Sequence, residues 1–181
     1  MDPVMQEIID THLIKKALYR YPRGIDRMDV DLLNSAYHDD AMDYHGVFDG
    51  PAVEFAQIAM KSQAKEISTS HMLGQSEIEF DGLERAYVET YFFGTHLRNV
   101  KSRDGEPHIL FMSGRYADRF DKRDGEWRIG ERRVIQDWVH FAKLDDDGLD
   151  FAAMFHQPKA SKQDYSYAGR PSTPVQVSPD E

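Results

Sequence analysis

Cysteine is absent from the 181 residues. That one absence excludes disulfides, thiolate nucleophiles and cysteine-ligated metal sites. A long apolar run is also missing: no stretch approaches the roughly 18 residues that a membrane-spanning helix needs. The opening "MDPVMQEIID" has neither a basic n-region nor an apolar h-region, which predicts no signal peptide. Positive charge is scarce as well. Lys and Arg total 22 against 32 Asp and Glu, for a net charge of −10. A nucleic-acid binder would need a basic patch. The expectation is a cytoplasmic protein with neither nucleic acid nor membrane as partner. There is no HExxH among the 8 histidines, and no pair of them has the carboxylate partners of a familiar metal site. No metal centre is predicted, and no internal repeat is found.

What is present suits a packed core with room for a pocket: 40% hydrophobic and 12% aromatic residues. Between Val4 and Met28 apolar positions recur at helical spacing: Ile8, Ile9, Leu13, Ala17, Leu18, Tyr21, Ile25. Pro22 sits inside this helix, where a proline costs roughly 3 kcal/mol. Asp29 reads as the N-cap of a second helix, "VDLLNSAYH". "AMDYHGVFDG" reads as a strand entering a turn, and Pro51 as the first residue of a third helix, "PAVEFAQIAMKSQAK". From Ile67 the pattern becomes long strands, with a turn-rich "SRDGEPH" connection and a hairpin at Asp124-Gly125. Helices first and a strand meander after them predict an α+β domain over residues 1–143. Residues 144–181 read as an extension: a short helix in "LDFAAMF", then an irregular tail rich in Pro, Ser, Gln and Lys.

Three residues carry chemical interest, and each also has a plain structural reading. His71 opens a strand, where a histidine is commonly a satisfied core or edge residue. Asp26 ends a helix, where a carboxylate is usually solvated. Tyr21 suits a core aromatic with its hydroxyl at water. Tyr21 and Asp26 are five residues apart, about 140° around an ideal helix. A kink at Pro22 is expected to bring them to one side. The densest His/Asp cluster, "YHDDAMDYH", reads as a solvated loop.

Taken together, the segments "YRYPRGIDRMDVDLLNSAYHDDAMDY", "FDGPAVEFAQ", "STSHMLGQSEIEFDGLERAYVETYF" and "GRYADRFDKRDGEWRIGERRVIQDW" resemble the SnoaL-like (polyketide-cyclase-like) branch of the nuclear-transport-factor-2-like superfamily. The resemblance covers roughly Glu7 to Phe141. It implies a cone-shaped α+β barrel, a curved antiparallel sheet wrapped over N-terminal helices around an apolar pocket. In site pattern the chain is similar to the cofactor-independent lyases of that branch: bile-acid 7α-dehydratase, hexachlorocyclohexane dehydrochlorinase, diarylpropane lyase and, more distantly, scytalone dehydratase. The resemblance implies an Asp–His dyad of Asp26 and His71, with Tyr21 as the dehydratase-like third residue.

That resemblance sets the functional expectation. Asp26 orients His71, His71 acts as general base, and Tyr21 donates to a carbonyl or departing oxygen. The scheme calls for neither metal nor organic cofactor. Substrate-binding candidates are His96, Tyr44, His45, Phe92, Phe111 and Trp138, with Tyr91, Phe93 and Met112 in the same apolar wall. The aromatic content suits a small hydrophobic, hydroxylated substrate: a sterol, a polycycle or a diaryl compound. The reaction is elimination of water, or formaldehyde loss from a lignin-derived diaryl 1,3-diol. The alternatives are a non-catalytic binding or assembly subunit, such as the small subunits of ring-hydroxylating dioxygenases, and an isomerase or cyclase. A homodimer or homotrimer is expected.

Overall fold

The computed structural model describes residues 2–98, 108–144 and 152–167. Most of "SRDGEPH", the first residues of "LDFAAMF" and the tail after residue 167 lie outside these.

Helix α1 spans Pro3–Asp26. Asp2 caps it, its carboxylate accepting from Val4 N at 2.8 Å and Met5 N at 3.4 Å, while Pro3 occupies a position whose N–H would be unused. The helix runs through Pro22 to Asp26. At its end the chain turns through Met28, at φ 49°, and Asp29 caps α2 (Val30–Asn34) through Leu32 N at 3.2 Å. The two helices touch at Gly24: a Cβ there would lie 2.6 Å from Leu33 N, so only glycine permits the crossing. The second helix is shorter than expected, because Tyr37 and His38 already belong to a strand.

That strand is β1 (Tyr37–Tyr44), followed by β2 (Asp49–Pro51), α3 (Ala52–Gln63), β3 (Glu66–Phe80), β4 (Arg85–Arg98), β5 (His108–Arg123) and β6 (Glu126–Lys143). Pro51 therefore caps α3 rather than starting it. A short 3₁₀ turn, Tyr165–Tyr167, ends the described chain. The six strands form one sheet in the order β2-β1-β6-β5-β4-β3. Its neighbours are antiparallel except β1 and β6, which run parallel. The expected α+β class holds, but the barrel does not close: the sheet is curved and open, with β2 and β3 as free edges. Register shifts at Leu73/Ser76, Ser113/Gly114 and Arg119/Phe120 interrupt the ladders where bulges bend strands.

Alternation sorts the strand residues between two faces. The inner face of β4 carries Ala86, Val88, Thr90, Phe92, Gly94 and His96, all buried. It packs with Tyr116, Phe120, Trp127 and Ile129 against Ile14, Leu18, Tyr21 and Ile25 of α1. Two buried ionic anchors hold this layer. Asp10 accepts from Trp127 Nε1 and Lys122 Nζ, both at 2.8 Å. Arg132, fully buried, forks onto Asp118 at 2.8 and 2.6 Å. No helix among the described residues is long and apolar enough to cross a membrane.

Candidate active site

Asp26 is the last residue of α1, where the helix dipole disfavours a negative charge. Three donors offset that cost. His71 Nδ1 lies 2.7 Å from Oδ1, Thr69 Oγ1 donates to Oδ1 at 3.0 Å, and the backbone N–H of His71 donates to Oδ2 at 2.9 Å. Burial raises the Asp26 carboxyl, but the bonds and charge of His71 outweigh it and hold the group below the usual carboxylate range. A carboxylate only accepts, so Nδ1 carries hydrogen, and when the ring is neutral Nε2 is the nitrogen with the lone pair. No described group hydrogen-bonds that nitrogen. The imidazole lies over Gly94 of the neighbouring strand, where a Cβ would stand 3.3 Å from its Cδ2.

His96, also on the inner face, meets the His71 ring edge to face at 5.2 Å, and its Nδ1 is 3.8 Å from Glu66 Oε1. A groove of about 220 Å³, lined by Tyr19, Pro22, Arg23, Asp26, Arg27 and His71, opens beside the dyad. Larger depressions lie remote from it, one on the outer face among Glu77, Tyr87, Glu89, Arg119 and Glu131.

α1 continues through Pro22 to Asp26. Tyr21 is buried, and the contact its hydroxyl makes is with His45 Nε2, 3.3 Å away. His45 Nδ1 is hydrogen-bonded to Asp43 Oδ1, and Asp43 Oδ2 accepts from Tyr37 at 2.6 Å. Asp43 is acceptor to both, so His45 Nδ1 carries hydrogen, and His45 Nε2 faces the Tyr21 hydroxyl. The Arg132 guanidinium lies between the Tyr21 and Tyr116 rings, 4.2 and 4.1 Å from their centroids. Burial pushes the Tyr21 hydroxyl well above its ordinary range, so it stays protonated. "YHDDAMDYH" is thus largely a strand carrying a second His–Asp pair, not a solvated loop.

The aromatic wall divides between the faces. Phe92 is inward, stacked on Tyr116 at 4.5 Å, and Met112 shares its side of the sheet. Phe111 and Trp138 are outward, both against Phe93 at 6.2 Å, and Tyr91 is exposed. Tyr44 alternates with the buried Asp43 and lies beneath Arg133, 4.2 Å from its ring centroid. These outward residues do not border the dyad, because side chains one position apart on a strand face opposite ways. Sequence reasoning missed Thr69, Gly94 and the Asp43–His45 pair. The i,i+2 spacings of Thr69 to His71 and Asp43 to His45 are the signals that mark them.

Comparison with known proteins adds the relationship. No curated protein sequence matches. Among solved structures, hexachlorocyclohexane dehydrochlorinase LinA-type3 from Novosphingobium barchaimii superposes with TM-score 0.64 at 15% identity, over 78% of this chain and 94% of that one. A scytalone dehydratase-like protein from Novosphingobium aromaticivorans gives 0.66 at 16%, over 78% and 93%. A variant of Rv3472, a protein of unknown function from Mycobacterium tuberculosis, gives 0.62 at 25%, over 76% and 77%. The SnoaL-like domain family matches residues 6–133, well over half the chain, and the protein belongs to that family.

Proposed function

We propose that the protein is a lyase that works through the Asp26–His71 dyad on a hydrophobic, hydroxylated aromatic or polycyclic substrate. The observation that carries this reading is the 2.7 Å bond from His71 Nδ1 to Asp26, which leaves Nε2 as a base. In a dehydration, Nε2 takes a proton from carbon, the electron pair forms the double bond, and the departing hydroxyl receives the proton from the imidazolium. With a diaryl 1,3-diol, Nε2 takes the proton of the terminal hydroxyl. The carbon–carbon bond then breaks, formaldehyde leaves, and the freed electron pair expels the second hydroxyl, which takes the proton back from the imidazolium and leaves as water. Asp26 stabilises the imidazolium in either case. The Tyr21 hydroxyl is engaged with His45, so the reading rests on the dyad and gives Tyr21 a supporting place in the second network. His96 meets the His71 ring from the inner face, and Phe92 lies on that face two residues before Gly94. The outward cluster of Phe93, Phe111 and Trp138 supports self-association as a homodimer or homotrimer.

The test is a screen of sterol and diaryl diols with mass-spectrometric detection, which separates loss of water from loss of formaldehyde. His71→Ala should lower turnover by about 10²–10⁴-fold with an unchanged circular dichroism spectrum. Full turnover by that variant would overturn the scheme.

A further inference from the structure

We propose that the substrate of the dyad carries a carboxylate, received by Arg23 and Arg27 in the groove beside His71. This rests on the lyase reading and adds the chemical class of its substrate. Arg23 and Arg27 are one helical turn apart, on the side of α1 that also presents Tyr19 and Asp26. All four line the same groove as His71. A chain of net charge −10 repels an acid as a whole. Two arginines line the groove beside the dyad, facing the carboxylate of Asp26 and, for Arg27, that of Asp164 at 3.8 Å.

Their present partners leave them capacity. Arg27 Nη1 donates to the Asp26 carbonyl at 3.1 Å, and Arg27 Nε is 3.8 Å from Asp164 Oδ1, beyond hydrogen-bond reach. Arg23 Nη2 donates to Ser166 Oγ at 3.4 Å, and its guanidinium lies 4.5 Å above the Tyr167 ring. A guanidinium has five N–H donors, so each keeps most of its set. The nearby carboxylates are already engaged. Asp26 holds His71 and Thr69, and Asp164 accepts the backbone N–H groups of Lys159 and Ser166 at 3.0 and 2.9 Å. The segment that supplies Asp164, Ser166 and Tyr167 fixes the two arginines from outside, with Tyr167 Oη anchored to Asp29 at 3.1 Å. The half-exposed Tyr19 ring gives the groove an apolar flank. Planar forks matched to a carboxylate, an aromatic flank and an adjacent base together fit an aromatic acid.

The full-length protein should bind 3-phenylpropanoate at least about tenfold tighter than the uncharged 3-phenylpropanamide, about 1.4 kcal/mol. Calorimetric titration reads both. The double change Arg23→Gln with Arg27→Gln should bring the acid down to the amide. The double change to Lys should keep part of the preference, and it serves if the Gln form does not fold. Equal affinity for acid and amide, no binding of the acid, or a preference that survives the Gln changes would overturn the inference. Binding is read without turnover. An acid preference in a protein that turns over no substrate would leave the carboxylate site of Arg23 and Arg27 standing and remove the lyase reading, whereas turnover without an acid preference would remove the carboxylate site alone.

Discussion

Gly94 and His71 face each other across the β3–β4 ladder, and a Cβ on Gly94 would press on the imidazole, 3.3 Å from its Cδ2. A Cβ at that position would also come within 2.9 Å of Met112 Cγ. The methionine is flexible and can move aside, whereas the imidazole is tied to Asp26. Gly94→Ala should therefore cost activity more than stability. The expected fall in kcat is on the order of tenfold, from misplacement of the base. Kinetics beside a thermal melt would check it; unchanged kcat would mean that the ring has slack.

Asp26 links the site to acid stability. Its carboxyl sits below the ordinary value in the folded protein, held there against burial by His71 and Thr69. A depressed folded value stabilises the protein above the unfolded carboxyl value of about 3.9, and that part is lost as pH falls toward the folded value. The stability difference between the parent and Asp26→Asn should shrink as pH is lowered through that window. Urea unfolding at a series of pH values measures it, and a difference that grows on acidification would contradict it.

Arg132 is fully buried, and its fork onto Asp118 is its only carboxylate partner among the described residues. Asp118→Ala would strand that charge beneath Tyr21 and Tyr116. The expected cost is about 3–5 kcal/mol of unfolding free energy. Denaturant titration would show it, and a change below about 1 kcal/mol would mean that the ring contacts suffice.

On the outer face Trp138 is about half exposed (48%), beside Phe93 and Phe111. If copies of the chain associate there, Trp138→Glu should shift sedimentation toward the monomer and leave the fold intact. An unchanged sedimentation coefficient would place self-association elsewhere.

Much of the architecture was legible. The period of apolar residues gave α1, and the Asp-Gly turn gave the β5–β6 hairpin, where Asp124 and Gly125 adopt φ 51° and 80°. Asp26 and His71 were placed together through resemblance, and the structure joins them at 2.7 Å. The faces of Tyr91, Phe93, Phe111 and Trp138 were misjudged, although the alternation in "ETYFFGTH" separates Phe92 from Tyr91 and Phe93. The second half of β1 was read as a strand in "AMDYHGVFDG", but its first half was hidden for a deeper reason. Asp39 and Asp40 look like a solvated loop, and they are exposed. What makes the segment a strand, and buries Asp43, is its parallel neighbour β6, and local sequence does not report a partner so distant in the chain.

That same pairing has a consequence for how the molecule comes into being. Tyr37 lies beside Ile129, and Tyr44 beside Arg133. When β1 leaves the ribosome its long-range neighbour has not been made. The first helix likewise waits for Trp127 before Asp10 finds its buried donor. The antiparallel run from β3 to β6 can zip by short hairpin steps, but β1 must be admitted last, by closure of a long loop. The half-built chain thus passes through a stage in which the inner sheet face and the apolar side of α1 are complete in sequence yet uncovered. Aggregation during synthesis should be sensitive to substitutions in β6 that leave the finished protein stable.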